Sequence, residues 1–246
     1  FHGGGQMDGT WVVAEGARVD FSAGNLSYTP PVNWTGLGEY RFVGGTLTLD
    51  RVIPNLQLAG GTLSLAPGFQ GGAITNFALT AGTLTTELPI RGTLVVSGGA
   101  KLQTSNTVSG TLVMTNAAQV SGPLVVAGGG VLVMGGGSVS GWVRVEAGGT
   151  LESVGIQHGK NLFGGLTNAG TIRQSGWGLQ IGNGTTSVNE AGGRWEMTDD
   201  SPVYHYYGTE VLRNEGLLVK SGGTGTSGVS PTLTNLGTIE VRSGTL

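Results

Sequence analysis

A three-residue phrase, Gly-Thr-Leu, returns along this chain at a regular spacing. It stands at Gly45-Thr46-Leu47, Gly61-Thr62-Leu63, Gly82-Thr83-Leu84, Gly92-Thr93-Leu94, Gly110-Thr111-Leu112 and Gly149-Thr150-Leu151. Two variants, Gly170-Thr171-Ile172 and Gly237-Thr238-Ile239, extend it. Aligning the later copies on one apolar position gives Leu94, Leu112, Leu132, Leu151, Ile172, Trp195, Leu218 and Ile239, with gaps of 18, 20, 19, 21, 23, 23 and 21 residues. A period of roughly 20 whose length drifts marks a solenoid, each repeat one turn and extra residues pushed into loops.

Within the repeats the chain alternates on a period of two. Thr46-Leu47-Thr48-Leu49, Thr62-Leu63-Ser64-Leu65 and Thr238-Ile239-Glu240-Val241 are short runs with one apolar face, closed by glycine-rich turns. No run has a helical period with caps at both ends. A short strand cannot bury its apolar face alone, but turns stacked about 4.8 Å apart share a common core. The expectation is an all-β, single-domain parallel β-helix, right-handed by preference, of about 11–12 turns of about 20 residues. Such stacking also brings equivalent Thr and Asn side chains within hydrogen-bonding reach from turn to turn.

Composition narrows the function classes. Glycine supplies 49 of 246 residues without a collagen period, and the 38% apolar content argues against disorder. Charged residues are only 11%, net charge is −3, and no basic run occurs, which argues against nucleic acid as a partner. Cysteine is absent, so disulfides and thiolate chemistry are excluded. No apolar run reaches the roughly 20 residues of a membrane helix. The chain opens on Phe1 and closes within another repeat phrase, so it is expected to be a piece of a larger exported protein.

Three regions break the rhythm. Residues 1–42, with Trp11, Tyr28, Trp34 and Tyr40, read as atypical capping turns ahead of the regular repeats of 43–246. Residues 155–165, including His158 and Lys160, and residues 194–213 read as loops that protrude from the rod. His158 with Lys160 forms neither a metal site nor a catalytic pair, and a solvated loop is the expected setting for both.

The segments Leu166-Thr167-Asn168-Ala169-Gly170-Thr171-Ile172, Leu212-Arg213-Asn214-Glu215-Gly216-Leu217-Leu218 and Leu233-Thr234-Asn235-Leu236-Gly237-Thr238-Ile239 place an apolar residue, an Asn and a Gly ahead of each strand. Over 43–246 the chain thereby resembles the β-helix repeats of bacterial exported proteins, autotransporter passengers and filamentous-haemagglutinin-type adhesins. The resemblance implies an extracellular or cell-surface location and a polysaccharide or surface-glycan partner. It supplies no catalytic residues, and the fold also carries polysaccharide lyases and glycosidases.

The main cluster of chemistry-bearing side chains is Glu196, Asp199, Asp200, Tyr204, His205, Tyr206, Tyr207, Glu210 and Arg213. A glycosidase needs two carboxyls about 5–9.5 Å apart. A lyase needs a base and a group that neutralises a uronate. Asp199 and Asp200 are adjacent, so they fit a turn before Ser201-Pro202 better than a shared site. The tyrosines suit stacking against sugar rings. Trp34 and Trp177, flanked by glycine and polar residues, are expected at the surface, and Trp195 and Trp142 in the core. No metal or cofactor is expected: Gly3-Gly4-Gly5-Gln6-Met7-Asp8 lacks a glycine of the calcium repeat, and the three histidines are far apart.

Two functions follow as expectations. One is a non-catalytic rod, structural or adhesive, that contacts carbohydrate. The other is a polysaccharide-active enzyme using Asp199, Asp200, His205, Glu210 and Arg213. Catalysis requires at least two of these to converge in one groove beside aromatics; adhesion lets them scatter.

Overall fold

Each short alternating run becomes a parallel strand, because the run in the next turn presents the same inward residue at the same height. The computed structural model describes every residue except 54, 157 and 158, and only the backbone of 28–31. His158, a candidate from the sequence, thus lies outside the described residues. The chain is a parallel β-solenoid of about 11 turns of about 21 residues. All strand pairing is parallel among the described residues, and the single helical element is the 3-10 turn Phe69–Gly71.

From about residue 100 each turn contributes three strands, one per face of a prism. One turn is Lys101–Leu102, Asn106–Val108 and Thr111–Met114, and the next is Gln119–Val120, Leu124–Val126 and Val131–Met134. The first face is an 11-stranded sheet running from Gly5–Val12 to Val203–His205. The second and third are joined through the long strand Ile90–Val96, which pairs with Asn106–Val108 and Thr111–Met114.

The core column read from the repeat is continuous on the third face: Leu94, Leu112, Leu132, Leu151, Ile172, Trp195, Leu218 and Ile239 pair in succession. All but Ile239 are buried. The earlier copies of the phrase build a different face. Leu47, Leu63 and Leu84 belong to a first-face column that continues through Leu102, Val120, Val139, Leu162 and Ile181 and ends on His205. Gly-Thr-Leu therefore encodes a corner followed by a strand on either face.

On the second face the inward column changes chemistry. Ile90, Val108, Val126 and Val145 are followed by Asn168, Asn189, Asn214 and Asn235. The amides of Asn168, Asn189 and Asn214 each donate to the Oδ1 above, at 2.7, 2.8 and 2.7 Å. Each of the three also donates to a carbonyl at the start of the third-face strand one turn above its own: Arg194, Leu217 and Thr238 at 3.1, 3.2 and 3.0 Å. This ladder satisfies polar groups inside the prism, where an unpaired amide would cost about 1–3 kcal/mol.

Within residues 1–42, Gly5–Val12 and Asn25–Thr35 join the first-face ladder, Leu26 pairing with Leu47, while Arg18–Phe21 and Glu39–Phe42 form a separate three-stranded sheet with Leu56–Leu58. Their aromatics stack inside the first turns: Trp11 and Trp34 lie 5.6 Å apart, and Trp34 meets Tyr40 edge-on at 4.9 Å. Trp34, expected at the surface, is instead buried. Trp142, expected in the core, is 46% exposed, because the inward position belongs to the next residue, Val143. A one-residue offset reverses the side a residue faces.

Lys160 is also corrected. It pairs with Gly137 in the first-face ladder and is 1% exposed. Gly137 has no side chain to occupy that column. The Lys160 Nζ donates to the carbonyls of Val154, Gly155 and Ser175 at 3.2, 3.1 and 3.0 Å. Among the described residues no helix is long and apolar enough to cross a membrane.

Candidate functional site

The chemistry-bearing residues of 194–213 are distributed by three strands, Arg194–Met197, Val203–His205 and Val211–Asn214. Each belongs to a different face, so side chains close in sequence are separated around the prism. Trp195 is buried in the core and donates through Nε1 to Gln174 Oε1 at 3.2 Å. Glu196 points outward and pairs with Arg194 at 2.9 Å. That hydrogen-bonded guanidinium holds the Glu196 carboxyl below its usual range, against the opposing effect of burial.

Asp199 and Asp200 diverge. Asp199 accepts from Gly176 N–H at 2.6 Å and from Ser201 N–H at 2.9 Å, locking the corner before Pro202. Burial pushes its pKa up, but the hydrogen bonds from Ser201 and Gly176 outweigh that and leave it lowered. Asp200 pairs at 2.7 Å with the ammonium of Lys220. Lys220 is wholly buried and also donates to Asp199 O, Gly222 O and Ser227 Oγ. The Lys220 hydrogen bond lowers the Asp200 pKa. Both aspartates act as corner fasteners. Arg213 stands on the outward side of its strand in an ion pair with Glu215.

His205 and Glu210 do come together. Glu210, buried in the turn after the last first-face strand, accepts through Oε1 from Tyr207 N–H at 3.0 Å and Gly184 N–H at 3.3 Å. Its Oε2 lies 3.8 Å from His205 Nδ1. The two line a hollow of about 220 Å³ with Gly208, Thr209, Ser230, Pro231 and Thr232.

The aromatics collect beside this hollow. Tyr204 is on the outward side of the first face, in register with Gln180 and Asn161, and its ring lies 6.1 Å from that of Trp177. At the other end of the same strands, Tyr206 lies 4.9 Å from Phe163 and 5.1 Å from Tyr207. Gly182 stands between Phe163 and Tyr206. A Cβ there would fall 2.9 Å from Tyr206 Cβ and 3.1 Å from the Phe163 ring, so its absence lets rings from two turns apart meet. Trp177, Tyr206 and Tyr207 are exposed by 39%, 44% and 69%. The result is a strip with aromatic borders and an amide-bearing floor of Asn161 and Gln180.

The sequence reading brought out Tyr204, Tyr206, Tyr207 and Trp177, but not Phe163, Gly182 or Ser230. Phe163 and Gly182 each directly follow a first-face strand, at equivalent places in successive turns. The repeat register, extended to this face, identifies both. Among the described residues, no three His, Asp or Glu side chains are placed to hold a metal ion. No protein-family model matches the chain, and neither a curated protein nor a solved structure matches it.

Proposed function

We propose that this chain is a non-catalytic extracellular or cell-surface rod, structural or adhesive, that contacts glycan along its first face. The observation that carries the reading is the strip formed by Trp177 with Tyr204 and by Phe163 with Tyr206 and Tyr207. Aromatic faces pack against the C–H faces of sugar rings, and the Asn161 and Gln180 amides between them can bond sugar hydroxyls. The stacked ladders supply a stiff support that needs little reordering on binding.

The alternative, a polysaccharide-active enzyme, draws on the approach of His205 to Glu210. Two features favour binding over turnover. The hollow is lined by one carboxylate, whereas glycoside hydrolysis uses two. A lyase must neutralise a uronate, but Arg213 is paired with Glu215 and the hollow itself presents a carboxylate. Incubating the chain with a polysaccharide panel, with binding and depolymerisation measured together, tests the reading. Retention without product is expected. Product formation that disappears in His205→Ala would overturn it.

A further inference from the structure

The fold uses only one oxygen of Glu210. Oε1 fastens the turn through the backbone of Tyr207 and Gly184, while Oε2 takes no hydrogen bond. The 3.8 Å from Oε2 to His205 Nδ1 exceeds hydrogen-bond reach. Glu210 is only 2% exposed and is one of the residues that line the hollow. A carboxylate oxygen without a donor from the protein is a strong acceptor for any hydroxyl that enters.

We propose that the hollow is a subsite for one terminal ring of a neutral glycan, an inference that rests on the glycan-contact reading above. One ring hydroxyl donates to Glu210 Oε2 and a neighbouring hydroxyl of the same ring bonds the His205 imidazole, both approaching from the hollow. Thr209, Ser230 and Thr232, each carrying a hydroxyl, belong to the remaining wall. The volume of about 220 Å³ is below the roughly 300–1,000 Å³ of pockets for drug-sized ligands, which suits a single ring. Tyr207 couples the parts: its N–H holds Oε1 while its exposed ring extends the aromatic strip. The charge sets specificity. Glu210 repels a uronate or any other acidic terminal sugar, and the guanidinium of Arg213 is engaged by Glu215.

The test applies the intact chain to immobilised oligosaccharides with neutral hexose or N-acetylhexosamine termini, and to oligouronates. Glu210→Gln keeps an oxygen for the Tyr207 and Gly184 N–H groups but replaces the free acceptor with an amide donor. Ser230→Ala and Thr209→Val alter the wall without touching those bonds, and they decide the matter if Glu210→Gln melts early. The expected result is retention of neutral oligosaccharides only, weakened at least tenfold by Glu210→Gln and less by the wall variants. Wild-type affinity in all three variants, or equal retention of oligouronates, would overturn the subsite. If the variants bind normally but Trp177→Ala abolishes binding, the subsite falls and the aromatic strip stands. If neither class of oligosaccharide is retained, both readings fall.

Discussion

The side-chain amide of Asn189 donates to Asn214 Oδ1 at 2.8 Å, one turn above it inside the prism. Asn189 in turn accepts from Asn168 at 2.7 Å, so each residue is both donor and acceptor in a line parallel to the rod axis. Removing one member leaves buried partners on both sides. Asn189→Ala should cost at least about 2 kcal/mol, since each orphaned buried group is worth about 1–3. Urea unfolding of the single variants and of Asn189→Ala/Asn214→Ala measures it. A coupling of about 0.5–3 kcal/mol between the two sites is expected; strict additivity would show that the ladder does not act as a unit.

The core register makes a sharper contrast. Leu112 is fully buried between Leu94 and Leu132, while its neighbour Thr111 faces outward. Leu112→Asp should destabilise the middle turns by several kcal/mol, because it buries an unpaired carboxylate. Thr111→Asp should change stability by no more than about 0.5 kcal/mol, the usual surface range. Thermal melts of the two variants compare them directly, and equal tolerance would contradict the inward assignment of the leucine column.

Lys160 gives the rod a pH signature. Burial lowers its pKa from 10.5 to about 8, with attraction to Asp199 opposing the shift only in part. Below about pH 8 the ammonium is charged in folded and unfolded chains alike, and its burial penalty is fully present. Between about 8 and 10.5 the unfolded chain binds more protons, so stability rises with pH and then levels off. Tyr40, whose pKa burial raises, works in the opposite sense above about 10. The comparison with Lys160→Met isolates the lysine: denaturant midpoints should climb from pH 8 to 9.5 in the wild type and stay flatter in the variant.

Gly182 links the fold to the aromatic strip. Gly182→Ala places a methyl against Tyr206 Cβ and the Phe163 ring, so the rings must separate. Glycan retention should fall several-fold. The fluorescence of Trp177, which pairs with Tyr204 rather than Phe163, should change little. Unchanged retention would show that the Phe163–Tyr206 pair takes no part.

Much of the fold was legible because the signal is periodic. The column from Leu94 to Ile239 survives insertions that stretch the turn from 18 to 23 residues, since a loop can lengthen without moving the strands. The Asn-X-Gly steps at Asn168, Asn214 and Asn235 likewise pointed to a ladder. What escaped depends on contacts between turns. Lys160 and Lys220 carry the most polar of side chains, yet both are buried because corner carbonyls surround their ammonium groups. Trp142 differs by strand parity, which shifts at every corner, and Trp34 because its polar neighbours in sequence hide the rings of Trp11 and Tyr40 that enclose it. The approach of His205 to Glu210 follows from a turn at Tyr207–Thr209 whose shape is set by a hydrogen bond from Gly184, in the preceding turn of the solenoid.

The proposed contact of one face of this rod with glycan is tested by aromatics on two faces. Trp177 and Tyr204 lie on the first face, whereas the exposed Trp142 stands ahead of a second-face strand. Titrating a retained neutral oligosaccharide against wild type, Trp177→Ala/Tyr204→Ala and Trp142→Ala measures the difference. The double variant should lose at least tenfold in affinity while Trp142→Ala matches the wild type. Equal affinity in all three, or equal loss in both variants, would contradict the claim.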